Sequence, residues 1–306
     1  MSLLVCVPNR DNTKLLAKLQ KLLPQVPIQV WPNITSANDI EVVLAWNAPS
    51  SLWSQLPNLK LIQSYGAGVD SIELARLPEH VDVARIVDSS LGRDMAEYVL
   101  THLLAHKLRL KTFAKQQADK VWKPKRAMGY DRVGILGFGQ LGQVVAERLL
   151  QNNFVVSAWS NSPKNHKRVQ CFDGSDGLEK LVQTSDYLVC LLPLTPHTEG
   201  ILNAKLFSLL PTHALLLNVA RGKHVVENDL LDALNNDDLA AAILDVFSIE
   251  PLPEEHPFWL HEKITITPHA AALTCLDTAV TQIVDNVLSV IHKKEIINRV
   301  DKSKGY

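Results

Sequence analysis

Cysteine is scarce in this 306-residue chain: four residues (Cys6, Cys171, Cys190, Cys275), none at C-x-x-C spacing. That excludes a disulfide-framed scaffold, and all four read as reduced thiols of a cytoplasmic protein. Long apolar runs are missing too. The longest, Tyr187 to Leu192 and Leu239 to Leu244, have six residues each, whereas a membrane span needs ~20. The start, Met1 to Val7, is apolar, but it is short for a signal segment and has no basic flank, so it reads as a first strand. The sequon at Asn33 therefore carries no expectation of a glycan. No charge sign dominates: 31 Lys+Arg against 32 Asp+Glu leave a net charge of −1, which gives no field to gather nucleic acid or an anionic membrane. No G-x-S-x-G or Walker A pattern occurs, so hydrolase and kinase readings lack support. His102 and His106 are four apart on a helical stretch without H-E-x-x-H, and they read as ordinary helical histidines. His256, His261 and His269 lack ligand spacing, and no metal is expected.

What is present is an alternation of short apolar runs with helical stretches. Candidate strands are Leu3–Val7, Val42–Ala45, Leu61–Ser64, Val133–Leu136, Phe154–Ala158, Tyr187–Leu191, Ala214–Leu217, Ala241–Leu244 and Ile264–Thr267. Most are continuously apolar, as strands covered on both faces of a parallel sheet must be. Candidate helices are Thr13–Leu23, Asp94–Lys115, Gln140–Leu150 and Cys275–His292, each with an apolar stripe. The expected fold class is α/β: two doubly wound, Rossmann-like lobes with parallel sheets and an interlobe cleft. The layout predicted is discontinuous. Residues 1–95 plus 285–306 would form a flavodoxin-like substrate-binding lobe, and 96–284 a dinucleotide-binding lobe. The basic stretch Lys123–Gly129, with its Pro and Gly, reads as a boundary signal.

The most informative local pattern is Val133-Gly134-Ile135-Leu136-Gly137-Phe138-Gly139-Gln140-Leu141-Gly142. A strand runs into G-x-G-x-x-G and then into a helix. The first glycine allows the tight turn, the second lets backbone approach a pyrophosphate, and the third permits close helix packing. The helix N-terminus offers free N–H groups to the phosphates. An NAD-preferring site would place an acid about 20 residues on, at the end of the next strand. Here no Asp or Glu occurs between Glu147 and Asp173. Ser160, Asn161 and Ser162 can instead hydrogen-bond a phosphate, and Lys164, Lys167 or Arg168 can neutralise it. NADPH is favoured on this ground.

Three later strands each run into a polar residue, at Arg221, Glu250 and His269. Ligands bind at that edge of open α/β sheets. The three suit reduction of a 2-oxo acid. A guanidinium grips the carboxylate bidentately. An imidazole, titrating near neutrality, supplies a proton to the developing alkoxide. A carboxylate beside it favours the imidazolium.

At this point the sequence resembles the D-isomer-specific 2-hydroxyacid dehydrogenases, and within them most closely the glyoxylate/hydroxypyruvate reductase A group. The marks are Tyr65-Gly66-Ala67-Gly68-Val69-Asp70, the 137–142 turn, Leu191-Leu192-Pro193-Leu194-Thr195, Asn218-Val219-Ala220-Arg221-Gly222, Asp245-Val246-Phe247 with Glu250-Pro251-Leu252-Pro253, Thr267-Pro268-His269, and the closing residues 300–306. The resemblance implies Arg221, Glu250 and His269 as the catalytic set. It implies Ala67, Gly68 and Val69 as backbone N–H donors to the substrate carboxylate, and Trp46 on the substrate side. It places Leu192, Pro193, Val219 and Asp245 near the nicotinamide. It also implies a homodimer. Asn161 stands where this group commonly has Arg, which leaves NADH open as a second cofactor. Formate dehydrogenases pair their histidine with Gln rather than Glu, and too few residues remain for the regulatory domain of phosphoglycerate dehydrogenases. An NAD(H)-binding corepressor on the same fold is the alternative from another class.

Overall fold

The computed structural model describes residues 1–8, 10–69 and 72–302, apart from the side chains of Ala75 and Ser89. Asp70 and residues 303–306, among the family marks, lie outside the described residues. The chain divides into two compact units, Met1–Ser89 with Thr274–Tyr306, and Ser90–Leu273.

In the first unit five strands form one parallel sheet: β1 (Ser2–Cys6), β2 (Ile28–Val30), β3 (Ile40–Ala45), β4 (Leu61–Ser64) and β5 (Asp82–Ala84), in the order β2-β1-β3-β4-β5. The order reverses between β1 and β3, and in doubly wound sheets the ligand crevice opens at that switch point, beyond the carboxyl ends of the strands. Every residue of β1 and β4 is buried; in β1 this appears as the apolar run Leu3–Cys6, whereas β4 carries the buried polar residues Gln63 and Ser64 at its end. One sheet face packs on helices α1 (Thr13–Leu22) and α8 (Leu276–His292): Leu15 and Leu19 join Ala279, Ile283 and Val287 over Val5, Leu44 and Leu61. The expected division at residue 285 would cut α8 in half. Because α8 buries one continuous stripe in this core, all of it goes with the first unit.

The second unit carries seven parallel strands: β6 (Arg132–Leu136), β7 (Val155–Trp159), β8 (Gln170–Phe172), β9 (Tyr187–Cys190), β10 (Leu215–Asn218), β11 (Ala241–Leu244) and β12 (Ile264–Ile266), in the order β12-β11-β10-β9-β6-β7-β8. This is the dinucleotide-binding order with one further strand, and its switch point lies between β6 and β9. Helices α2 (Ser89–Lys107) and α4 (Gln140–Gln151) pack on one face, while α5 (Gly174–Gln183), α6 (Ala204–Phe207) and α7 (Glu227–Asn235) pack on the other.

The helix expected over 94–115 is α2 followed by α3 (Leu110–Ala118), because Arg109 between them adopts a left-handed φ of 61°. The basic stretch 123–129 lies inside the second unit, not at a boundary. It is tied there by Arg109 Nε donating to the Arg126 carbonyl (2.9 Å) and by Met128 N–H donating to the Lys107 carbonyl (2.9 Å). The three-residue strands β2, β5 and β8 have no apolar run long enough to announce them.

Candidate active site

The glycine turn after β6 has the shape its spacing implies. Gly137 takes a φ of +103°, and a Cβ there would sit 2.8 Å from the Leu191 carbonyl carbon. A Cβ on Gly142 would lie 2.1 Å from the Gly137 oxygen, so α4 packs against the turn as only glycine permits. Gly139 faces open space. A phosphate therefore fits where the middle glycine exposes backbone, at the N-terminus of α4 formed by Gln140 and Leu141. The Phe138 side chain points away, buried in the core with its ring edge-on to His166, so only its backbone borders the turn.

At the end of β7 the Ser160 hydroxyl donates to the Ser162 carbonyl (2.8 Å), and Ser160 N–H donates to Phe172 (3.1 Å). Asn161, Ser162 and Lys164 are exposed. The basic side chains after them are partly spoken for. Glu147 on α4 holds His166 at 3.1 Å and pairs with Arg168. That carboxylate, far away in sequence, is invisible in the local pattern.

Arg221, Glu250 and His269 follow β10, β11 and β12. His269 Nδ1 lies 2.8 Å from Glu250 Oε2, and Phe247 N–H donates to Glu250 Oε1 at 3.0 Å. Burial works to raise the Glu250 pKa, but the bonds from His269 and Phe247 and the charges of His269 and Arg221 outweigh it and hold the carboxyl below its ordinary value. Arg221 Nη1 donates to the Ala220 carbonyl at 2.6 Å. Beneath it, His224 is fully buried. Its Nδ1 accepts from Arg221 N–H (3.2 Å) and its Nε2 lies 3.3 Å from the Pro193 carbonyl. His224 thus ties the Arg221 turn to the segment after β9, a role no motif signalled.

Leu192 and Val219 are buried past the ends of β9 and β10, in the cores on opposite faces of the sheet, with Pro193 beside them partly exposed. Asp245, expected beside the nicotinamide, has both carboxylate oxygens engaged within the protein. Oδ1 accepts from Thr267 Oγ1 (2.5 Å) and Ala270 N–H (2.8 Å), and Oδ2 accepts from Ala271 N–H (3.0 Å). Its carboxylate lies under the His269 turn.

In the first unit, Trp46 follows β3 at the switch point, its N–H bonded to the Cys6 carbonyl (3.0 Å). Its indole lies against Gly66, where a Cβ would meet Cζ3 at 2.3 Å. The Arg10 guanidinium sits over the indole, 5.1 Å from its centroid, in the range of a cation–π contact. The turn through Ala67, Gly68 and Val69 is pinned by the Ser64 hydroxyl, which donates to the Gly68 carbonyl (2.7 Å) and accepts from Gly66 N–H (3.2 Å).

A seven-stranded sheet in dinucleotide-binding order, a glycine turn at its switch point, and a guanidinium, an imidazole and its carboxylate past neighbouring strands define a nicotinamide-dependent α/β dehydrogenase. Comparison with known proteins agrees. The signature of the D-isomer specific 2-hydroxyacid dehydrogenase NAD binding domain matches residues 100–271. The chain is 38% identical to a glyoxylate/hydroxypyruvate reductase A of Yersinia enterocolitica, over all of both chains. Its fold superposes with a TM-score of 0.89 on a D-isomer specific 2-hydroxyacid dehydrogenase of Xanthobacter autotrophicus solved with NADPH and MES, at 34% identity, covering 100% of this chain and 99% of that one. An NADPH-dependent glyoxylate/hydroxypyruvate reductase of Sinorhizobium meliloti, solved with NADP and sulfate, gives a TM-score of 0.90 at 30% identity, with both chains fully covered. The chain belongs to the D-isomer-specific 2-hydroxyacid dehydrogenase family.

Proposed function

We propose that this dehydrogenase reduces small 2-oxo acids, glyoxylate and hydroxypyruvate foremost, to D-2-hydroxy acids, with NADPH preferred and NADH accepted less well. The observation that carries this reading is the 2.8 Å pairing of His269 with Glu250, with Arg221 close enough for its charge to act on the same carboxylate. The relatives named above support the substrates, and the acid-free end of β7 supports the cofactor. All three relatives bear the names of enzymes, two reductases and one dehydrogenase, which favours an enzyme over the corepressor-like alternative.

The Gly137–Gly142 turn and the first turn of α4 hold the pyrophosphate by backbone N–H groups. Ser160, Asn161, Ser162 and Lys164 receive the 2′-phosphate, and Leu192, Pro193 and Val219 border the nicotinamide. When bound, the cofactor supplies the hydride that adds to the carbonyl carbon of the substrate. Arg221 holds the substrate carboxylate and polarises the ketone. His269 gives a proton from Nε2 to the carbonyl oxygen as it becomes an alkoxide. Glu250 keeps the imidazole oriented and charged through Nδ1. Trp46 and the N–H groups of Ala67, Gly68 and Val69 are the further substrate-binding groups that the family resemblance implies.

We further propose a cytoplasmic homodimer. All four cysteines are free, and among the described residues no helix is long and apolar enough to cross a membrane. Trp122 is 98% exposed beside the half-exposed Val121, an apolar pair that a second subunit would cover. Light scattering of the purified chain reads the subunit count.

The deciding assay is loss of NADPH absorbance with glyoxylate and hydroxypyruvate. The Arg221→Ala variant should lower kcat and raise KM together, because the guanidinium serves both binding and polarisation. Wild-type turnover in that variant refutes the assignment.

A further inference from the structure

We propose that Tyr98, on α2, is a positioning residue for His269, acting through Thr267 and Asp245. The inference deepens the function proposed above and rests on it.

The chain of contacts is continuous and lies within the second unit. The Tyr98 hydroxyl is 2.6 Å from Thr267 Oγ1. Thr267 Oγ1 donates to Asp245 Oδ1 at 2.5 Å. A threonine hydroxyl has one hydrogen. Since that hydrogen goes to the carboxylate, Tyr98 must donate in the first bond. Burial, opposed by the bond to Thr267 and reinforced by the charge of Asp245, pushes the Tyr98 phenol up to about 12, so it stays a donor at any working pH. The far end of the relay grips the histidine turn. Asp245 takes the N–H groups of Ala270 and Ala271 on its two oxygens, and its carbonyl accepts from His269 N–H at 2.8 Å.

His269 needs such a grip. Its φ is +51°, a left-handed conformation that a residue with a Cβ holds only when its surroundings impose it. The mount is rigid. Met95, Ala96, Val99 and Leu103 of α2 are buried in one core with Ile135, Val189 and Leu217 of the central strands. The Tyr98 ring is also packed on His102, with centroids 4.3 Å apart. Without the phenol hydrogen, Thr267 Oγ1 loses its donor and can rotate off Asp245. The acceptor of the Ala270 and Ala271 amides then loosens, and the imidazole drifts from Glu250. Since the Tyr98 hydroxyl bonds Thr267 and no residue of the 137–142 turn or the end of β7, cofactor binding should be spared.

The test uses Tyr98→Phe, Thr267→Val and Thr267→Ser in the full chain. Expected for Tyr98→Phe is a drop in kcat of about tenfold, the scale of lost orientation at a proton donor, with the NADPH Kd from fluorescence and the thermal midpoint essentially unchanged. Thr267→Val should fall further, Thr267→Ser should recover most of the wild-type kcat, and the Tyr98→Phe/Thr267→Val pair should be no worse than Thr267→Val alone. Histidine side-chain NMR reads the Nδ1–H bond to Glu250 without turnover, with His269→Gln to assign it. That signal should weaken or exchange-broaden in Tyr98→Phe. Wild-type kcat with an unaltered signal in Tyr98→Phe overturns the proposal, as does strict additivity of the pair. If the wild type reduces neither 2-oxo acid, the function fails, and the NMR signal still decides whether Tyr98 orients His269.

Discussion

Gly222 lies so close to Phe247 that a Cβ on it would sit 1.8 Å from the Phe247 carbonyl carbon and 2.2 Å from its oxygen. The obstacle is backbone, so no side chain can swing aside. This contact seats the Arg221 turn against the loop that carries Glu250.

Replacing Gly222 with Ala must therefore push the loops after β10 and β11 apart. The expected result is a loss of kcat/KM with glyoxylate of about 100-fold or more, alongside a destabilisation of roughly 1–3 kcal/mol from overpacking. Steady-state kinetics and denaturant unfolding check the two separately. Unchanged kinetics would mean that the Arg221–Glu250 approach does not matter.

Glu250→Gln keeps the shape of the side chain and removes its charge. Glu250 is held below its ordinary carboxylate value by His269, Phe247 and Arg221 against the opposing effect of burial, so it is ionised throughout the neutral range. Without the carboxylate, His269 loses the partner at Nδ1 that orients it, so kcat with glyoxylate should fall about tenfold or more while KM for NADPH stays near the wild-type value, as steady-state rates will read.

The cofactor assignment can be reversed at one position. Ser160→Asp places an acid at the end of β7, where it would repel a 2′-phosphate and accept from ribose hydroxyls. KM for NADPH should rise about tenfold or more, while KM for NADH falls. Initial rates with both cofactors measure the ratio, and an unchanged ratio would place the adenosine end elsewhere.

Asp186, buried before β9, predicts acid lability. Burial works to raise its pKa, but bonds from the Arg132 side chain, from His213 and from the N–H groups of Arg132 and Asp131 outweigh it and depress it far below the ordinary value. A depressed folded pKa contributes stability that is complete above the unfolded value of about 3.9 and is lost as pH falls below it. The thermal midpoint should fall steeply below about pH 4. Asp186→Asn should cost about 1–2 kcal/mol near neutrality, since it weakens the pairing with Arg132 and His213, which solvent still reaches, and should flatten the acid limb. Melting curves across the pH range test both.

Much of the fold was legible because parallel strands buried on both faces are unbroken apolar runs, as at Tyr187–Cys190 and Ala241–Leu244. Edge strands such as Asp82–Ala84 have no such run and were missed. The break at Arg109 was missed because the residues either side of it continue a helical pattern. The glycine spacing at 137–142 was legible because each glycine answers a local steric demand.

The sequence alone determined the alternation of strand and helix, the phosphate-binding turn, and which strand ends carry Arg221, Glu250 and His269, since these follow from local periodicity and from the absence of a Cβ. Only the tertiary structure decided the 2.8 Å meeting of His269 with Glu250, the link from buried His224 to the Pro193 carbonyl, the capture of Arg168 by Glu147, and the place of Asp245 beneath the histidine turn. Those pairings join residues 19 to 31 positions apart, whose distance is set by strand order and core packing, quantities no local window contains.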